Sequence, residues 1–580
     1  MSYEKQNFKD GQVLTAANMN HIEDGLSEVC GCFFSGLSDA INNANVHETL
    51  DGASVMRTIN GDQITLTLLQ DVEENGQVNF DTNVVLRLNG YTLSMSYAGE
   101  NITVAAGASL YIDGTKDGSE VNVSNTATGS VVVLAMVHGA LVVKGGNYSV
   151  TCTNSASLGF RSSESCPKMV LHDCTISTQC NTSNSIGVLS QGALVDFSSV
   201  TMTLNGAIST PVQYTGNVNM RNTEITATAS AQCNGLLAYP NTKTTLVDVK
   251  LSAKSQSTNA YGINIQAGAE LIARDLHLSV VTEAEISAKY GAYGISNEGI
   301  CTIEDSFVLA DAKSEKIGET LAVCINNSGT MICKNSEVAG THSGLQNAGN
   351  LYVDRCLLSG VCHGGLYTLH SYDKEVVVND TVLEGGVYRG QFADNYANLF
   401  GTDTDVGSNK ALSAMYLGDQ TSTVDGGDLY VDGCVFVGIA NESFTVRPAA
   451  YSASGIESGK HPNRLFISRS KIAVQYANNP KGEIAPIRLN YTNEGALSAA
   501  FAEMYCGVGC NITVDNIMGG SACEEYLHST EQLYRQKDNH LPTYNEYMVL
   551  MGQSGDNASL TEVSEALDGI IAMQEELIGS

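Results

Sequence analysis

The chain has 580 residues, of which 16% are charged and 57 are glycine, and its formal net charge is −32. Low charge with many small residues argues against intrinsic disorder, which needs high charge and low hydrophobicity. The acidic excess argues against nucleic-acid binding through a basic surface. No apolar run reaches about 18 residues, so no membrane insertion is expected, and the first residues lack the apolar core of a signal peptide.

The first predicted element is a helix over residues 14–41. Its apolar residues alternate three and four positions apart, as in a coiled-coil seam; they are Met19, Ile22, Leu26, Val29 and Phe33. Gly25, Gly31 and Gly36 weaken a long isolated helix. Two interpretations remain open: a cap over the end of a rod, and a short oligomeric helix bundle.

An eight-residue phrase then recurs along the chain. Its twelve copies lie at 141–148, 169–176, 195–202, 218–225, 244–251, 271–278, 301–308, 331–338, 351–358, 376–383, 429–436 and 465–472. Counting the first residue as offset 0, offsets 0, 2 and 7 are apolar nearly every time. Offset 5 is small or apolar, and offset 4 is usually polar or Gly. This pattern predicts two short strands with a bend between them.

A third strand precedes several phrases, at 261–265, 293–297, 322–326 and 343–347. Most copies start 20 to 30 residues after the previous one, a period typical of solenoids. Three strands per period describe one coil of a parallel β-helix, which buries its apolar face only by stacking on neighbouring coils. The predicted fold is therefore all-β: a right-handed parallel β-helix over roughly residues 80–520, with offsets 0, 2 and 7 pointing inward and short helical segments at both ends.

Several of the 16 cysteines follow the same phrase. Cys174, Cys356 and Cys434 occupy offset 5, while Cys301 and Cys333 occupy offsets 0 and 2. A thiol at an inward position acts as a small apolar group. The sequence therefore predicts mostly reduced, buried thiols rather than a disulfide framework.

The repeat is interrupted between the phrases that begin at 376 and 429, where 53 residues replace the usual 20 to 36. The extra stretch, 385–428, is rich in aromatic and acidic residues. Because aromatic faces stack on sugar rings and carboxylates bind hydroxyls, we expect a substrate-binding surface formed by Tyr388, Phe392, Asp394, Tyr396 and Tyr416. Asp403 and Asp405 are the candidates for acid or base work on glycosidic bonds. The alternative is that these aromatics pack the insertion down and the aspartates cap turns.

No resident metal site and no cofactor are predicted, because zinc-ligand spacings are missing from the sequence. The Asp-rich turns at 403–405 and 425–428 could hold Ca²⁺, although neither completes an EF-hand loop. Asp275, Asp305 and Asp380 share offset 4 and could stack as a ladder along one edge, where aligned acids repel unless they are hydrated or bound to cations. The favoured interpretation is that they are polar bend residues facing water.

Beyond residue 500 the pattern loosens. Residues 511–518 could form a last coil, residues 521–558 a cap, and residues 559–578 a second helix with heptad spacing. Coiled-coil association is favoured over a simple amphipathic cap for that helix. The expected organisation is a helical segment at 1–45, a β-rich cap with first coils at 46–140, the β-helix at 141–520, a cap at 521–558 and a helix at 559–580.

Residues 8–26, FKDGQVLTAANMNHIEDGL, resemble the opening of tail appendage proteins in phages and prophages of Firmicutes. The matching residues are Phe8, Asp10, Gly11, Leu14, Thr15, Ala16, Met19, Asn20, Ile22, Glu23, Gly25 and Leu26. The stretch 566–579 is similar to a helix recurrent in the same group. Residues 84–93 are similar to the first strand of pectate-lyase-like β-helices found in tailspikes.

The resemblance implies a tailspike or tail-fibre receptor-binding protein, made in the host cytoplasm and located in the virion tail. Its expected partners are two further copies in a homotrimer, tail or baseplate proteins bound through residues 1–45, and a host-surface carbohydrate. One alternative is a polysaccharide depolymerase of the same fold, a hydrolase or lyase, which as a glycosidase needs two carboxylates about 5 to 9.5 Å apart. The other is a cell-surface adhesin, which the missing export and anchor signals disfavour.

Overall fold

The computed structural model describes residues 32–516 with gaps at 48–49, 285–290, 314–321, 362–363, 387–388, 393–413, 418–425, 440–441, 447–450, 453–454, 457–462, 477–484, 490–501 and 507–510. Side chains are described up to residue 437, outside those gaps, and over 465–470. The chain divides into two compact units, Met1–Ile225 and Thr226–Ser580. The described residues are nearly all β and form a right-handed parallel β-solenoid of about 11 turns, as the sequence predicted.

The described residues form one short helix, α1 (Leu37–Asn42), and 46 strands. The first strands are β1 (Cys32–Phe34), β2 (Val55–Asn60), β3 (Gln63–Leu68), β4 (Val72–Glu74), β5 (Val78–Phe80), β6 (Val84–Arg87), β7 (Thr92–Met95), β8 (Glu100–Val104), β9 (Ser109–Gly114), β10 (Glu120–Val137), β11 (Ala140–Gly145), β12 (Asn147–Ser162), β13 (Lys168–His172), β14 (Thr175–Cys180), β15 (Asn184–Ser190), β16 (Leu194–Ser198), β17 (Thr201–Gly206), β18 (Ile208–Tyr214) and β19 (Val218–Ala229).

The remaining strands are β20 (Cys233–Ala238), β21 (Lys243–Ser255), β22 (Ala260–Ile265), β23 (Glu270–Thr282), β24 (Ala292–Asn297), β25 (Ile300–Glu304), β26 (Phe307–Ala312), β27 (Ala322–Asn327), β28 (Thr330–Lys334), β29 (Glu337–Gly340), β30 (Ser343–Asn347), β31 (Asn350–Asp354), β32 (Leu357–Gly360), β33 (Leu366–Thr368), β34 (Val376–Asn379), β35 (Val382–Gly385), β36 (Met415–Leu417), β37 (Asp428–Asp432), β38 (Val435–Ile439), β39 (Glu442–Val446), β40 (Tyr451–Ser452), β41 (Gly455–Ile456), β42 (Asn463–Ser468), β43 (Lys471–Tyr476), β44 (Ala485–Leu489), β45 (Ala502–Cys506) and β46 (Asn511–Asn516).

The first unit begins with antiparallel pairing of β1 with β2 and of β2 with β3. Three parallel stacks follow. One contains β3, β6, β9, β11, β13 and β16. The second contains β4, β7, the first halves of β10 and β12, β14 and β17. The third contains β5, β8, the second halves of β10 and β12, β15 and β18.

The predicted N-terminal helix needs a correction where it overlaps this unit. Residues 14–31 lie outside the described residues, but Cys32–Phe34 form β1 and only Leu37–Asn42 are helical. Phe34 pairs with Val55 across the antiparallel ladder, so these residues satisfy their backbone groups in a sheet. Glu74 accepts hydrogen bonds from the backbone N–H of Leu37 and Ser38 and so caps the short helix.

In the second unit the same order repeats in each coil, and we name the three parallel stacks sheets C, A and B in that order. Sheet C contains β20, β22, β24, β27, β30, β33, β36, β39 and β44. Sheet A contains the first halves of β21 and β23, then β25, β28, β31, β34, β37, β42 and β45. Sheet B contains the second halves of β21 and β23, then β26, β29, β32, β35, β38, β43 and β46.

The inward positions are those that the phrase predicted. Val353, Val378 and Val431 occupy offset 2 of successive copies, lie in parallel register and are 0% exposed. Leu358, at offset 7, is equally buried. These side chains stack in a continuous apolar core, and removing apolar surface from water is the main favourable term in forming such a coil.

Offset 4 is a backbone position of unusual conformation. All twelve copies have a positive φ there: Gly145, Asp173, Ser199, Asn222, Asp248, Asp275, Asp305, Asn335, Arg355, Asp380, Gly433 and Arg469. Gly, Asn and Asp tolerate left-handed conformations better than other residues do. The polar residues at offset 4 are therefore bend residues, as the sequence indicated.

Offset 5 forms a ladder of small hydrogen-bonding side chains. Thr381 Oγ1 accepts from the N–H of Cys356 (3.2 Å) and donates to the carbonyl oxygen of Asn379 (2.6 Å). Ser336 makes the same two bonds two coils earlier, accepting from the N–H of Ser306 and donating to the carbonyl oxygen of Lys334. The Cys356 thiol lies 3.2 Å from the Asp354 carbonyl oxygen. The eleven cysteines whose side chains are described are free, and all but Cys32 are buried.

Candidate functional site

Most residues of the predicted binding surface lie outside the described part of the chain: Tyr388, Asp394, Tyr396, Asp403 and Asp405. Phe392 is described and half-buried. Tyr416 lies in β36 and is 0% exposed, with its ring in edge contact with Tyr367 at a centroid distance of 6.1 Å. A fully buried ring does not present a face to a sugar, so Tyr416 is not placed to stack on one.

Residues 389–392 of the insertion contact the outer face of sheet B through ion pairs and hydrogen bonds. Arg389 forms ion pairs with Glu384 (2.8 Å) and Glu337 (3.5 Å). The buried carboxylate of Asp311 accepts from the N–H of Gln391 at 2.8 Å and from Thr341 Oγ1 at 2.9 Å. These contacts hold residues 389–392 in place, and they give this acidic group a structural role.

The strongest candidate for a binding surface is instead the outer face of sheet C. Its strands β20, β22, β24, β27 and β30 contain no Asp, Glu, Lys, Arg or His. The sheet A and B strands of the same coils carry Lys243, Glu270, Arg274, Glu304 and Glu337. These five strands of sheet C therefore form a charge-free face on a strongly acidic chain.

Four polar side chains form a column on this face. Asn264, Ser296, Asn326 and Gln346 lie in parallel register on successive strands. All four are half-exposed or exposed. Within the part of the chain that the structure describes, their side chains make no hydrogen bonds. Each is free to bond a ligand.

A second amide column lies beside this one but points inward. Asn297 donates to Asn327 Oδ1 (2.7 Å), and Asn327 donates to Asn347 Oδ1 (2.7 Å). Asn347 donates to Thr368 Oγ1 at 3.2 Å. Buried amides must be satisfied to avoid a large desolvation cost. The inner amides therefore have a structural role, because they hydrogen-bond one coil to the next. The outer polar side chains make no such bonds between coils.

Two tyrosines lie beside the polar column, three residues before Asn264 and Ser296 on the same strands. Tyr261 and Tyr293 stack with centroids 5.2 Å apart and an interplanar angle of 12°. Asn259 donates to Tyr261 Oη (3.0 Å) and accepts from the N–H of Gly291 (2.7 Å). Burial, and secondly the neighbouring Tyr261, raises the pKa of Tyr293, so its phenol stays protonated and remains a donor.

Carboxylates at glycosidase separation were the feature expected of a depolymerase. Asp354 and Asp432 both occupy offset 3, two strands apart and so roughly 10 Å from each other. Asp354 pairs with Arg355 at 2.9 Å, and Asp432 pairs with Arg469. The Arg469 guanidinium holds the pKa of Asp432 below its usual value. A general acid needs a raised pKa, so Asp432 does not suit that role.

The predicted acidic residues at offset 4 do not form a ligand cluster. Arg274 Nε lies 3.7 Å from Asp305 in an ion pair. Among the described residues, no group of three or more His, Cys, Asp or Glu side chains is placed to hold a metal ion. Of the turn at 425–428, Asp428 is described: its carbonyl oxygen accepts a hydrogen bond from His370.

The described helix α1 is too short to cross a bilayer, and no other helix suited to that role occurs among the described residues.

Comparisons with known proteins give no match: none of the family models, curated proteins or solved structures with which the chain was compared resembles it significantly. The site on sheet C was missed from the sequence, although its strands were recognised. Alternation gave no signal for it, because period-two counting puts Tyr261 on the same face as Ile263 and Ile265, which are buried.

Proposed function

We propose that this protein binds a host-surface carbohydrate through the outer face of sheet C and serves as the receptor-binding protein of a phage tail. The observation that carries the binding role is the column of four outward polar side chains without partners in the described structure, beside a stacked tyrosine pair. Amides and hydroxyls match sugar hydroxyls, and aromatic rings match the apolar faces of sugars. The tail location and the attachment through residues 1–45 rest on the resemblance of residues 8–26.

The rigid coil beneath the face supports this role. The strands are paired on both sides, and Asn297 and Asn347 of the inner amide column accept from the N–H of Gly299 and Gly349 in the turns that follow β24 and β30. A preorganised surface loses less conformational entropy on binding than a mobile loop does. The face of sheet C is therefore a separate candidate from the insertion at 385–428. The insertion remains a second predicted carbohydrate-binding surface.

Removal of either tyrosine tests the proposal. Tyr261→Ala and Tyr293→Ala should each weaken adsorption to glycan-bearing host cells by about tenfold, the equivalent of roughly 1.4 kcal/mol. Phe307→Ala is the matched control, because Phe307 stacks on His277 at 4.8 Å on the outer face of sheet B. Unchanged adsorption in both tyrosine variants, with circular dichroism like the parent, would remove this face from consideration.

The same experiment separates binding from cleavage. A pure receptor-binding protein leaves the chain length of the bound glycan unchanged, whereas a depolymerase releases shortened products. Product analysis by chromatography after prolonged incubation therefore accompanies the adsorption assay. Shortened products would replace the receptor-binding role with a catalytic one.

A further inference from the structure

We infer that the glycan bound by sheet C is electrically neutral and lies across the strands, following the direction in which coils stack. This inference rests on the proposed function and specifies its ligand. Its basis is the distribution of charge and of free hydrogen-bonding groups over sheets A, B and C among the described residues.

The first argument concerns charge. The five sheet C strands β20, β22, β24, β27 and β30 hold no Asp, Glu, Lys, Arg or His, whereas on sheet A Lys243 pairs with Glu270 and Arg274 with Glu304. A charged sugar placed on sheet C would lose part of its hydration without gaining an opposite charge from those strands, which is costly. An anionic glycan would also meet the repulsive field of a chain with net charge −32.

The second argument concerns geometry. Asn264, Ser296, Asn326 and Gln346 present one polar group per coil, and four coils span three strand spacings, about 14 Å. An amide offers two donors and an acceptor with two lone pairs, which suits hydroxyls that both donate and accept. A ligand lying across the strands meets all four groups in turn, whereas one lying along a single strand meets one of them.

The tyrosines and the amides of this face are expected to contribute differently to binding. Tyr261 and Tyr293 offer apolar area that any pyranose can cover, so they should supply affinity with little discrimination. The amides form directional bonds, and a site built to bond a hydroxyl rejects a ligand that lacks it, because polar groups are then left unpaired. The polar column therefore selects among neutral sugars.

The test is calorimetric titration of the whole protein with three oligosaccharide families: neutral hexose oligomers of glucose, galactose and mannose, oligogalacturonides, and glucosamine oligomers. We expect binding of a neutral family, with affinity rising with length until the ligand spans about 14 Å. Raising NaCl from about 50 to about 500 mM should change that affinity by less than about twofold, because a neutral ligand has no charge to screen.

Variants locate the binding. Asn326→Ala and Gln346→Ala should each weaken binding of the preferred neutral oligomer by about fivefold, as expected for one lost hydrogen bond of roughly 1 kcal/mol. Ser279→Ala, on the outer face of sheet B, is the control and should bind like the parent.

The possible results distinguish failure of the neutral-ligand inference from failure of the proposed carbohydrate-binding function. Preference for oligogalacturonides or glucosamine oligomers, or a fall in affinity of about tenfold with salt, overturns the neutral ligand and leaves carbohydrate binding intact. Neutral binding that is insensitive to Asn326→Ala and Gln346→Ala overturns the placement along the column. Failure of all three families to bind, up to millimolar concentrations, overturns the proposed function itself.

Discussion

At the scale of single residues, the bend at offset 4 explains a pattern that composition alone does not. Gly, Asn, Asp, Ser and Arg all occur at this position, so the sequence pattern shows only that it is usually polar. Its common property is a positive φ in all twelve copies. The sequence could predict a bend there, because Asp and Asn favour turns, but the left-handed conformation became visible only in the structure.

Asn335 offers a direct test of that conformation. Asn335→Ala should lower the free energy of unfolding by about 1 kcal/mol, because an L-residue with a Cβ and no local hydrogen-bonding group resists the left-handed region. Asn335→Gly is the matched control and should be close to neutral, since Gly adopts a positive φ freely. Thermal unfolding of both variants decides; equal loss in both would show that the side chain matters and the backbone conformation does not.

His370 continues the inner amide column and makes it sensitive to acid. Its Nε2–H donates to the Asp428 carbonyl oxygen (2.8 Å), which leaves Nδ1 to accept from Thr368 Oγ1 (2.7 Å). Burial lowers the pKa of His370 from 6.5 to about 4. The unfolded chain therefore binds a proton more readily than the folded chain does between these values.

The sign of the resulting pH dependence follows from linkage. The contribution of neutral His370 to stability is fully present above about pH 6.5 and is lost progressively as the pH falls towards 4. Full loss corresponds to about 3 kcal/mol. The melting temperature of the parent should fall over this range, and His370→Gln should flatten that part of the curve. His277→Gln, which removes an exposed imidazole, should keep the parent's slope; a slope unchanged in His370→Gln contradicts the assignment.

At the scale of elements, the ladder at offset 5 shows why small residues recur there. Each Ser or Thr from Ser306 onwards accepts from the backbone N–H of the preceding coil, so the hydroxyl replaces a ladder bond that the bend removes. The sequence identified offset 5 as inward and small. It could not distinguish packing from hydrogen bonding, because Ser, Thr and Cys satisfy both requirements.

Thr381 separates these two roles. Thr381→Val keeps the volume but leaves the Cys356 N–H without its acceptor, which should cost about 1–3 kcal/mol of unfolding free energy. Thr381→Ser keeps the hydroxyl and loses one methyl group, at roughly 1 kcal/mol. Denaturant unfolding should therefore rank Thr381→Ser above Thr381→Val. The reverse order would make offset 5 a packing position only.

Strand alternation predicted the faces of the sheets unequally well. It placed Val353 inside correctly, but it also predicts that offset 1 faces water. In sheet A the outward residues Ile332, Tyr352, Tyr430 and Phe466 are nevertheless buried, and Tyr430 stacks on Phe466 at 5.1 Å. Such a ring is covered by its neighbour in the next coil, and period-two counting treats each strand alone and so does not register that contact.

At the scale of the whole molecule, the distribution of charge distinguishes two candidate binding surfaces. The insertion at 385–428 drew attention because aromatic and acidic residues crowd it, and those residue types are visible in any sequence. The face of sheet C is instead defined by what its strands lack, and five separate segments of the chain contribute to it. Such a surface exists only after the coils stack, which is why residue patterns along the chain did not reveal it.

Assembly is the remaining prediction at this scale. The heptad spacing in residues 559–578 and the resemblance of residues 8–26 to phage tail appendages predict a homotrimer. Light scattering should give close to three times the chain mass of 61.3 kDa. Deleting residues 559–580 should lower that mass or make it concentration-dependent, because the predicted helices would bury their apolar seams against each other. A parent mass near 61.3 kDa would contradict the trimer. It would leave sheet C as a complete binding face on one chain, because every residue assigned to that face comes from a single copy.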